Sequence, residues 1–117
     1  MHAFDVLGDP VRRRLLELLA EGERTAGELA AVAHEEFGIS QPAASQHLKV
    51  LRENGFATVR PEGARRLYVV DTTPLREVDR WLEHFRHFWT SRMAALDTEI
   101  ARGKRIRAQH HDEGNPE

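Results

Sequence analysis

The sequence predicts a mainly α-helical chain with one small β-hairpin, an α+β fold class. Apolar residues recur every three or four positions along most of the chain, which is the period of amphipathic helices. Two β-prone segments, 56–60 and 67–70, flank a turn made by Pro61, Glu62 and Gly63. After them, a continuous apolar row predicts one long C-terminal helix.

The first helices begin at residues that suit capping positions. Residues 3–7 predict a short helix, and Asp9 suits the N-cap of the longer helix that follows. Thr25 and Glu28 have the spacing of a capping box, which predicts the start of the next helix. That helix should end before Gly38, because glycine is favoured just past a helix C-terminus.

The segment after Gly38 is the most informative part of the chain. Ser40 suits the N-cap of a helix that should run from Gln41 to Asn54. The residues that face inward are Ala44, Leu48 and Leu51. Two helices joined by a short turn predict a helix-turn-helix, whose second helix enters the major groove of DNA.

The other face of this helix carries side chains that can read DNA. Glutamine bonds adenine bidentately, lysine reaches guanine or phosphate, and a small alanine lets the backbone come close. His47 either donates to a phosphate or is a packed structural histidine. The hairpin should form a wing beside the helix, although a structural hairpin with solvated arginines is the alternative. The candidate DNA-binding residues are Ser40, Gln41, Ala43, Ser45, Gln46, His47, Lys49, Arg52, Arg60, Arg65 and Arg66.

Positive charge is concentrated in the segment that carries these candidates. The whole chain has a formal net charge of −2. Residues 40–70 contain five basic and two acidic side chains, a net charge of +3. Because phosphate binding depends on local charge, the acidic balance of the chain does not exclude DNA as a partner. Arg12, Arg13 and Arg14 fan around more than half a helical turn and predict a solvated face with room for one phosphate contact.

The long C-terminal helix predicts a homodimer. Thr73 and Pro74 suit its cap and its first position. Its apolar residues form two stripes, more than a domain of this size can cover, and exposed aromatics at helical spacing usually mark an interface. The alternatives are one exposed stripe or a module that binds another protein. The predicted interface residues are Leu75, Val78, Trp81, Leu82, Phe85, Phe88, Trp89, Met93 and Leu96.

At these residues the chain resembles the ArsR/SmtB family of winged helix-turn-helix transcriptional repressors. The matching stretches are D-P-V-R-R-R-L-L-E-L-L (9–19), G-E-L-A (27–30), G-I-S-Q-P-A-A-S-Q-H-L-K-V-L-R-E-N-G (38–55) and R-R-L-Y (65–68). The resemblance covers roughly residues 3–100. It implies a homodimer that dimerises through its outer helix, binds a double-stranded DNA operator and is released by a signal.

Two features depart from the family pattern. Residues 31–37 separate the Leu-Ala pair from Gly38, where the family often has about three residues, so this helix should be about one turn longer. The thiolate metal motif of the family is absent, because the chain has no cysteine. The histidine and carboxylate pattern of its C-terminal helix is not matched either, so the resemblance implies no metal site.

A different metal site remains a candidate on the C-terminal helix. Glu83, His84 and His87 lie within one helical turn, and two such sets across a dimer axis could coordinate Zn²⁺ or Ni²⁺. The alternative, which we favour, is that they are solvated polar residues, because spacing matches are frequent by chance. Further ligands could come from His2, His110 and His111. Apart from this candidate, we expect no cofactor.

Other classes of protein fit the sequence less well. It has no Gly-rich phosphate loop, no G-x-S-x-G turn and no cysteine nucleophile, so we expect no enzyme. No apolar run approaches the roughly 20 residues that span a bilayer, and the N-terminus lacks a signal-peptide pattern, so we expect a cytoplasmic protein. Residues 1–102 should form one DNA-binding and dimerisation domain, followed by a flexible charged tail at 103–117.

Overall fold

The computed structural model describes the backbone of residues 1–107, the side chains up to residue 90, and beyond it those of Arg92, Leu96 and Ile100. Within this part of the chain there are five helices and three strands. The helices are α1 Ala3–Leu7, α2 Pro10–Glu21, α3 Ala26–Phe37, α4 Gln41–Glu53 and α5 Leu75–Arg107. The strands are β1 Arg24–Thr25, β2 Ala57–Glu62 and β3 Arg65–Val70. The predicted fold class is confirmed.

The chain divides into two compact units, Met1–Arg80 and the residues from Trp81 onward. The first unit contains α1 to α4, the three strands and the start of α5. Across the described residues, no helix has the combination of length and apolar character that a bilayer crossing requires.

Side chains cap the helices of the first unit, as the sequence predicts. Asp9 accepts hydrogen bonds of 2.8 and 3.3 Å from N–H groups in the first turn of α2. Thr25 and Glu28 form the predicted capping box of α3. Ser40 Oγ accepts a hydrogen bond of 3.2 Å from the N–H of Ala43 in α4. Each cap satisfies N–H groups that have no partner within their helix.

The apolar core of the first unit lies between α1–α4 and the hairpin. Its least exposed large side chains, each at most 2% exposed, include Leu15, Leu29, Leu48, Leu51 and Phe56. The inward face predicted for α4 is therefore confirmed. Burying such a side chain contributes about 1.5–3 kcal/mol, so packing holds α4 firmly by one face and leaves the opposite face outward.

The connection between α3 and α4 requires a glycine. Gly38 has a φ of +68°, the left-handed region that other residues adopt only with strain. Its N–H donates to the carbonyl of His34 at 2.9 Å, which closes the C-terminus of α3. The chain then enters α4 within three residues. The predicted helix-turn-helix is confirmed.

The last turn of α3 is anchored to α2 by an ion pair. Arg14 Nε and Nη2 donate to the two carboxylate oxygens of Glu36 at 2.8 and 3.1 Å. This hydrogen bond raises the pKa of Arg14 above its usual value. The seven residues 31–37 thus extend α3 to Phe37 without leaving its end unsupported. Arg14 was predicted to be solvated, and its bidentate pair corrects that expectation.

The sheet contains a strand that the sequence did not reveal. Its order is β1-β3-β2, and all pairs are antiparallel. In β1, Arg24 lies opposite Tyr68 and Thr25 lies opposite Leu67. Two residues are too few to show the alternation by which a strand is recognised, so only the pairing partner reveals β1.

The hairpin is longer than predicted. Pro61 and Glu62 belong to β2, and their partners in β3 are Arg66 and Arg65. The prediction that these two residues form the turn with Gly63 was wrong. The reason is that β2 is an edge strand, where the missing N–H of proline is tolerated.

The long helix α5 begins later than predicted. Its first residue is Leu75, and Thr73 and Pro74 lie in the preceding turn. Asp71 Oδ1 accepts a hydrogen bond of 2.9 Å from the N–H of Thr73, which closes a local turn. Such turns by aspartate compete with helix initiation, so the prediction that Thr73 caps α5 was wrong.

At its other end α5 continues to Arg107. Residues 103–107 are therefore helical, whereas the sequence predicts a flexible tail from residue 103. Glycine costs about 1 kcal/mol inside a helix, but the alanine, lysine and arginine around Gly103 are good helix formers and offset it. The rest of the predicted tail, residues 108–117, lies outside the described residues.

Candidate nucleic-acid interface

The outward face of α4 is polar and exposed. Packing of Leu48 and Leu51 into the core fixes the rotation of the helix, and this rotation sets which side chains point away. The predicted DNA contacts of α4 that are exposed are Gln41, Ser45, Gln46, Lys49 and Arg52. Their amide, hydroxyl and cationic groups can all bond base edges or phosphates. The structure thus brings these candidates together on one face.

The start of α4 opens onto a shallow cavity of about 430 Å³. Its walls are mostly small residues of α3, and the lining residues are Gly27, Ala30, Ala31, His34, Ser40 and Gln41. Ser40 Oγ is engaged as the N-cap, and Ala43 is half-buried one turn into the helix. The small side chains leave open space beside the N-terminus of α4.

His47 differs from the other candidates on α4. It is half-buried, and its Nδ1 lies 3.4 Å from Nη1 of Arg12 in α2. The predicted alternatives for His47 were a phosphate donor or a structural histidine, and the contact to Arg12 occupies only one ring nitrogen. Arg12 was predicted to lie on a solvated face, but it is half-buried and bonds carbonyl groups of α1.

The arginines of the hairpin are not equally available. Arg60 donates to Glu62 at 3.0 Å and also pairs with Glu23. The hydrogen bond that Arg60 donates to Glu23, followed by the one it donates to Glu62, raises the pKa of Arg60. Arg65 lies 3.5 Å from Glu62. The hydrogen bond from Arg60 holds the pKa of Glu62 below its usual value, so Glu62 is an anion beside both arginines.

Arg65 and Arg66 point to opposite faces of the hairpin. They are consecutive in β3, and successive side chains of a strand alternate between its two faces. Arg66 is exposed, and its side chain has no hydrogen-bond or ion-pair partner among the described residues. That both arginines position the wing on the DNA backbone stays a prediction; in the free protein Arg60 and Arg65 are paired with acids.

The residues predicted for the dimer interface fall into two groups. Leu75 and Val78 are partly buried against the core of the first unit. In the second unit, Phe88 is 60% exposed, Trp89 is 45% exposed and Phe85 is 39% exposed. Trp81 and Leu96 are also exposed, and Leu82 is half-buried. The side chain of Met93 lies outside the described residues.

The candidate metal ligands have other partners. Glu83 lies 2.8 Å from Arg86, the Nδ1 of His84 lies 3.0 Å from the carbonyl of Trp81, and the ring of His87 is 4.0 Å from that of Phe88. Within one chain, the described residues contain no cluster of three or more His, Cys, Asp or Glu side chains able to hold a metal ion. His2 caps α1, and His110 and His111 lie outside the described residues.

A helix-turn-helix, a three-stranded sheet with a basic hairpin, and an outward polar face on the second helix define a winged helix-turn-helix DNA-binding protein. Comparison with known proteins agrees with this class. A family model described as a helix-turn-helix domain matches residues 7–60. The chain is 41% identical to the HTH-type transcriptional regulator Rv2034 of Mycobacterium tuberculosis, over 75% of this chain and 76% of that protein.

Two further proteins extend the comparison. The chain is 34% identical to the transcriptional repressor SdpR of Bacillus subtilis, over 72% of this chain and 89% of SdpR. The crystal structure of an ArsR family transcriptional regulator aligns with a TM-score of 0.60 and 28% identity, over 76% of this chain and 88% of that one. The chain belongs to the ArsR/SmtB family of winged helix-turn-helix transcriptional repressors. The prediction that it is not an enzyme is confirmed, because this is a family of DNA-binding regulators.

Proposed function

We propose that the protein is a homodimeric, sequence-specific repressor that leaves its operator when it receives a signal. The observation that carries this proposal is the outward face of α4, where Gln41, Ser45 and Gln46 are exposed together while the opposite face is locked into the core. In this proposal these three side chains read bases, and Lys49 and Arg52 bind phosphates or guanine.

The exposed aromatics of α5 support the homodimer. Phe85, Phe88 and Trp89 present large apolar surface within the second unit. Leaving such side chains in water forfeits about 1.5–3 kcal/mol each relative to burial. A second copy of α5 supplies a matching apolar surface and gives the two-fold symmetry that most operators share with their repressors.

Release by a signal follows from the geometry that two-fold binding demands. Two copies of α4 must be separated by about one turn of DNA, roughly 34 Å. In a dimer joined through α5, a ligand that binds one arrangement of the two helices better than another changes this separation. The same reasoning makes α5 the expected location of signal binding.

The proposal is tested by selecting bound sequences from a random pool of duplex DNA with the full chain. We expect enrichment of an inverted repeat whose half-sites lie about one DNA turn apart. Repeating the selection with and without Ni²⁺ or Zn²⁺ tests the signal. A pool that stays random, together with binding that is insensitive to salt, would contradict a role as a DNA-binding repressor and favour a protein-interaction module.

A metal-responsive repressor is the second candidate function. One observation favours it. The contact between His84 Nδ1 and a backbone carbonyl places the proton on Nδ1, which leaves the Nε2 lone pair free for a metal. Two copies of Glu83, His84 and His87 would supply the ligands across the dimer. Glu83 would first have to leave Arg86.

Equilibrium dialysis against Ni²⁺ or Zn²⁺ tests this candidate. Because imidazole coordinates only when it is deprotonated, binding should weaken in acid. The double variant His84→Ala with His87→Ala should lose the metal effect and keep DNA binding. A double variant that still responds would move the site elsewhere, and a wild-type chain that binds no metal would remove this candidate.

A further inference from the structure

Arg12 is the centre of a hydrogen-bond cluster behind α4. Its Nε donates to the carbonyl of Val6 at 2.8 Å, and its Nη2 donates to the carbonyl of Asp5 at 3.0 Å. Asp9 lies 3.9 Å from Nη1, and the side chain of Arg12 is only 13% exposed. Two hydrogen bonds to carbonyls of α1 and an ion pair with the N-cap of α2 therefore fix the plane of this guanidinium. A fixed guanidinium imposes its geometry on whatever its remaining N–H groups contact.

The remaining contact of Arg12 is to α4. Its Nη1 lies 3.4 Å from Nδ1 of His47. A guanidinium stays protonated in proteins and can only donate, so Nδ1 of His47 must be the acceptor. The ring proton of the neutral imidazole then lies on Nε2. In this arrangement the half-buried His47 presents a donor at its other nitrogen.

His47 also lies at the edge of the outward face of α4. Gln46 on one side of it in the sequence is exposed, and Leu48 on the other side is buried. When a helix lies in a groove, residues at its centre meet base edges, whereas residues at its edges face the groove walls, which are sugar and phosphate. The partner that fits an N–H donor at this edge is a phosphate oxygen.

We propose that Arg12 is a positioning residue for DNA binding: it holds His47 as the Nε2–H tautomer, and Nε2 donates to a backbone phosphate of the operator. This inference rests on the proposed function and assigns Arg12 a part in it. Arg12 itself touches no DNA in this arrangement. Its effect on DNA affinity is transmitted entirely through the imidazole of His47.

Two substitutions of similar size test the roles of the two ring nitrogens of His47 independently. His47→Asn keeps an acceptor near the position of Nδ1 and loses the Nε2 donor. His47→Gln reaches the position of Nε2 with an amide N–H. We expect His47→Asn to lower affinity about tenfold for all duplex sequences alike, and His47→Gln to stay within about threefold of the wild type. Thermal unfolding of both variants checks that the fold is retained.

Nitrogen-15 NMR of the free protein reads the tautomer directly, with the His47 signals identified by their loss in His47→Gln. We expect Nε2–H in the wild type and a mixture of tautomers in Arg12→Lys, which keeps the charge but not the planar fork. In DNA titrations, Arg12→Lys should weaken binding when His47 is present. It should cause no further loss when it is combined with His47→Asn. If Arg12→Lys unfolds, the inference is tested by the tautomer of His47 in the wild type and by the affinities of His47→Asn and His47→Gln.

Three results would overturn the inference. They are an Nδ1–H tautomer in the wild type, equal affinities of His47→Asn and His47→Gln, or a loss confined to one base position. A wild-type chain that binds no duplex DNA would overturn the proposed function as well. If the wild-type chain binds duplex DNA but shows the Nδ1–H tautomer or equal affinities of the two His47 variants, the proposed function stands. Only the role of Arg12 and His47 is then removed.

Discussion

The guanidinium of Arg60 and the carboxylate of Glu62 lie 3.0 Å apart on the edge strand of the hairpin. Glu62 also lies 3.5 Å from Arg65, and Glu23 is a second partner of Arg60. Two of the three hairpin arginines are thus paired with acids in the free protein. These carboxylates compete with DNA phosphates for the same donors, because both are oxygen anions that suit a guanidinium.

Removing the charge of Glu62 should therefore strengthen DNA binding. We expect Glu62→Gln to raise affinity about threefold or more at low salt, for operator and random duplexes alike, because it frees two arginines and removes a repulsion from phosphate. Fluorescence anisotropy at several salt concentrations measures this. Glu35→Gln, which removes the same charge at an exposed position of α3, is the control. Equal affinities of the two variants would show that Arg60 and Arg65 do not contact DNA.

Gln46 and Arg66 should affect binding in different ways. Loss of a base contact in Gln46→Ala should cost about 1–3 kcal/mol on the operator and relax preference at one position. Loss of a backbone contact in Arg66→Ala should weaken binding to every sequence and flatten the salt dependence. Titrations against the operator and its single-base variants distinguish them. If Gln46→Ala retains both affinity and preference, the predicted orientation of α4 in the groove is wrong.

Trp89→Ala should weaken the proposed dimer. Large aromatics dominate the binding energy of most interfaces, and a central one typically contributes at least about 2 kcal/mol. Sedimentation equilibrium of the full chain at micromolar concentrations measures the dissociation constant. Thr90→Ala, the exposed neighbour on the same helix, is the control and should leave association unchanged. A wild-type chain that sediments as a monomer under these conditions would exclude a dimer built on α5.

Acid should destabilise the fold through two helix caps. Hydrogen bonds from the N–H and hydroxyl of Thr25 hold the pKa of Glu28 below its usual value of 4.5. Burial raises the pKa of Asp9, but N–H groups of Arg12 and Val11 outweigh it, so its pKa lies below 3.8. Both carboxyls are therefore more acidic folded than unfolded. Their stabilisation is complete above these usual values and is lost as pH falls through the lower folded ones.

The measurement is thermal unfolding of the wild type and Glu28→Gln from neutral pH down to about pH 3. We expect the variant to be less stable at neutral pH and to lose less stability on acidification. Glu35→Gln again serves as the control, because Glu35 takes part in no cap. Parallel curves for the wild type and Glu28→Gln would contradict the role assigned to this carboxylate.

The helices were predictable because their signals are local. The caps at Asp9, Thr25 and Ser40 bond N–H groups two or three residues away, and the apolar stripe of α4 repeats within one helix. In the sheet, errors arose where a distant partner decides the outcome, whereas the error at the start of α5 comes from the nearby Asp71. The edge position of β2 permits Pro61 inside a strand, and β1 exists only because β3 lies beside it.

The residues of the candidate interface were predicted from the sequence, but their ion pairs and hydrogen bonds were not. Residue types and spacing indicate which face of α4 points outward. They do not reveal that Arg60 pairs with Glu23, from before β1, or that Arg12 contacts His47 from a different helix. Both contacts join residues more than thirty positions apart, and a single sequence contains no signal for such pairs. The partners of charged side chains therefore had to come from the structure.

The capped helices have a consequence for how the first unit folds. Each helix start is specified by neighbouring residues, and such short-range contacts form before long loops close. The pairing of Arg24 with Tyr68 closes a far longer loop, so we expect β1 to pair with β3 last. In stopped-flow measurements, Thr25→Ala should then slow folding, whereas Leu67→Ala should mainly accelerate unfolding. The pairing of β1 with β3 would then open more readily than the helical core.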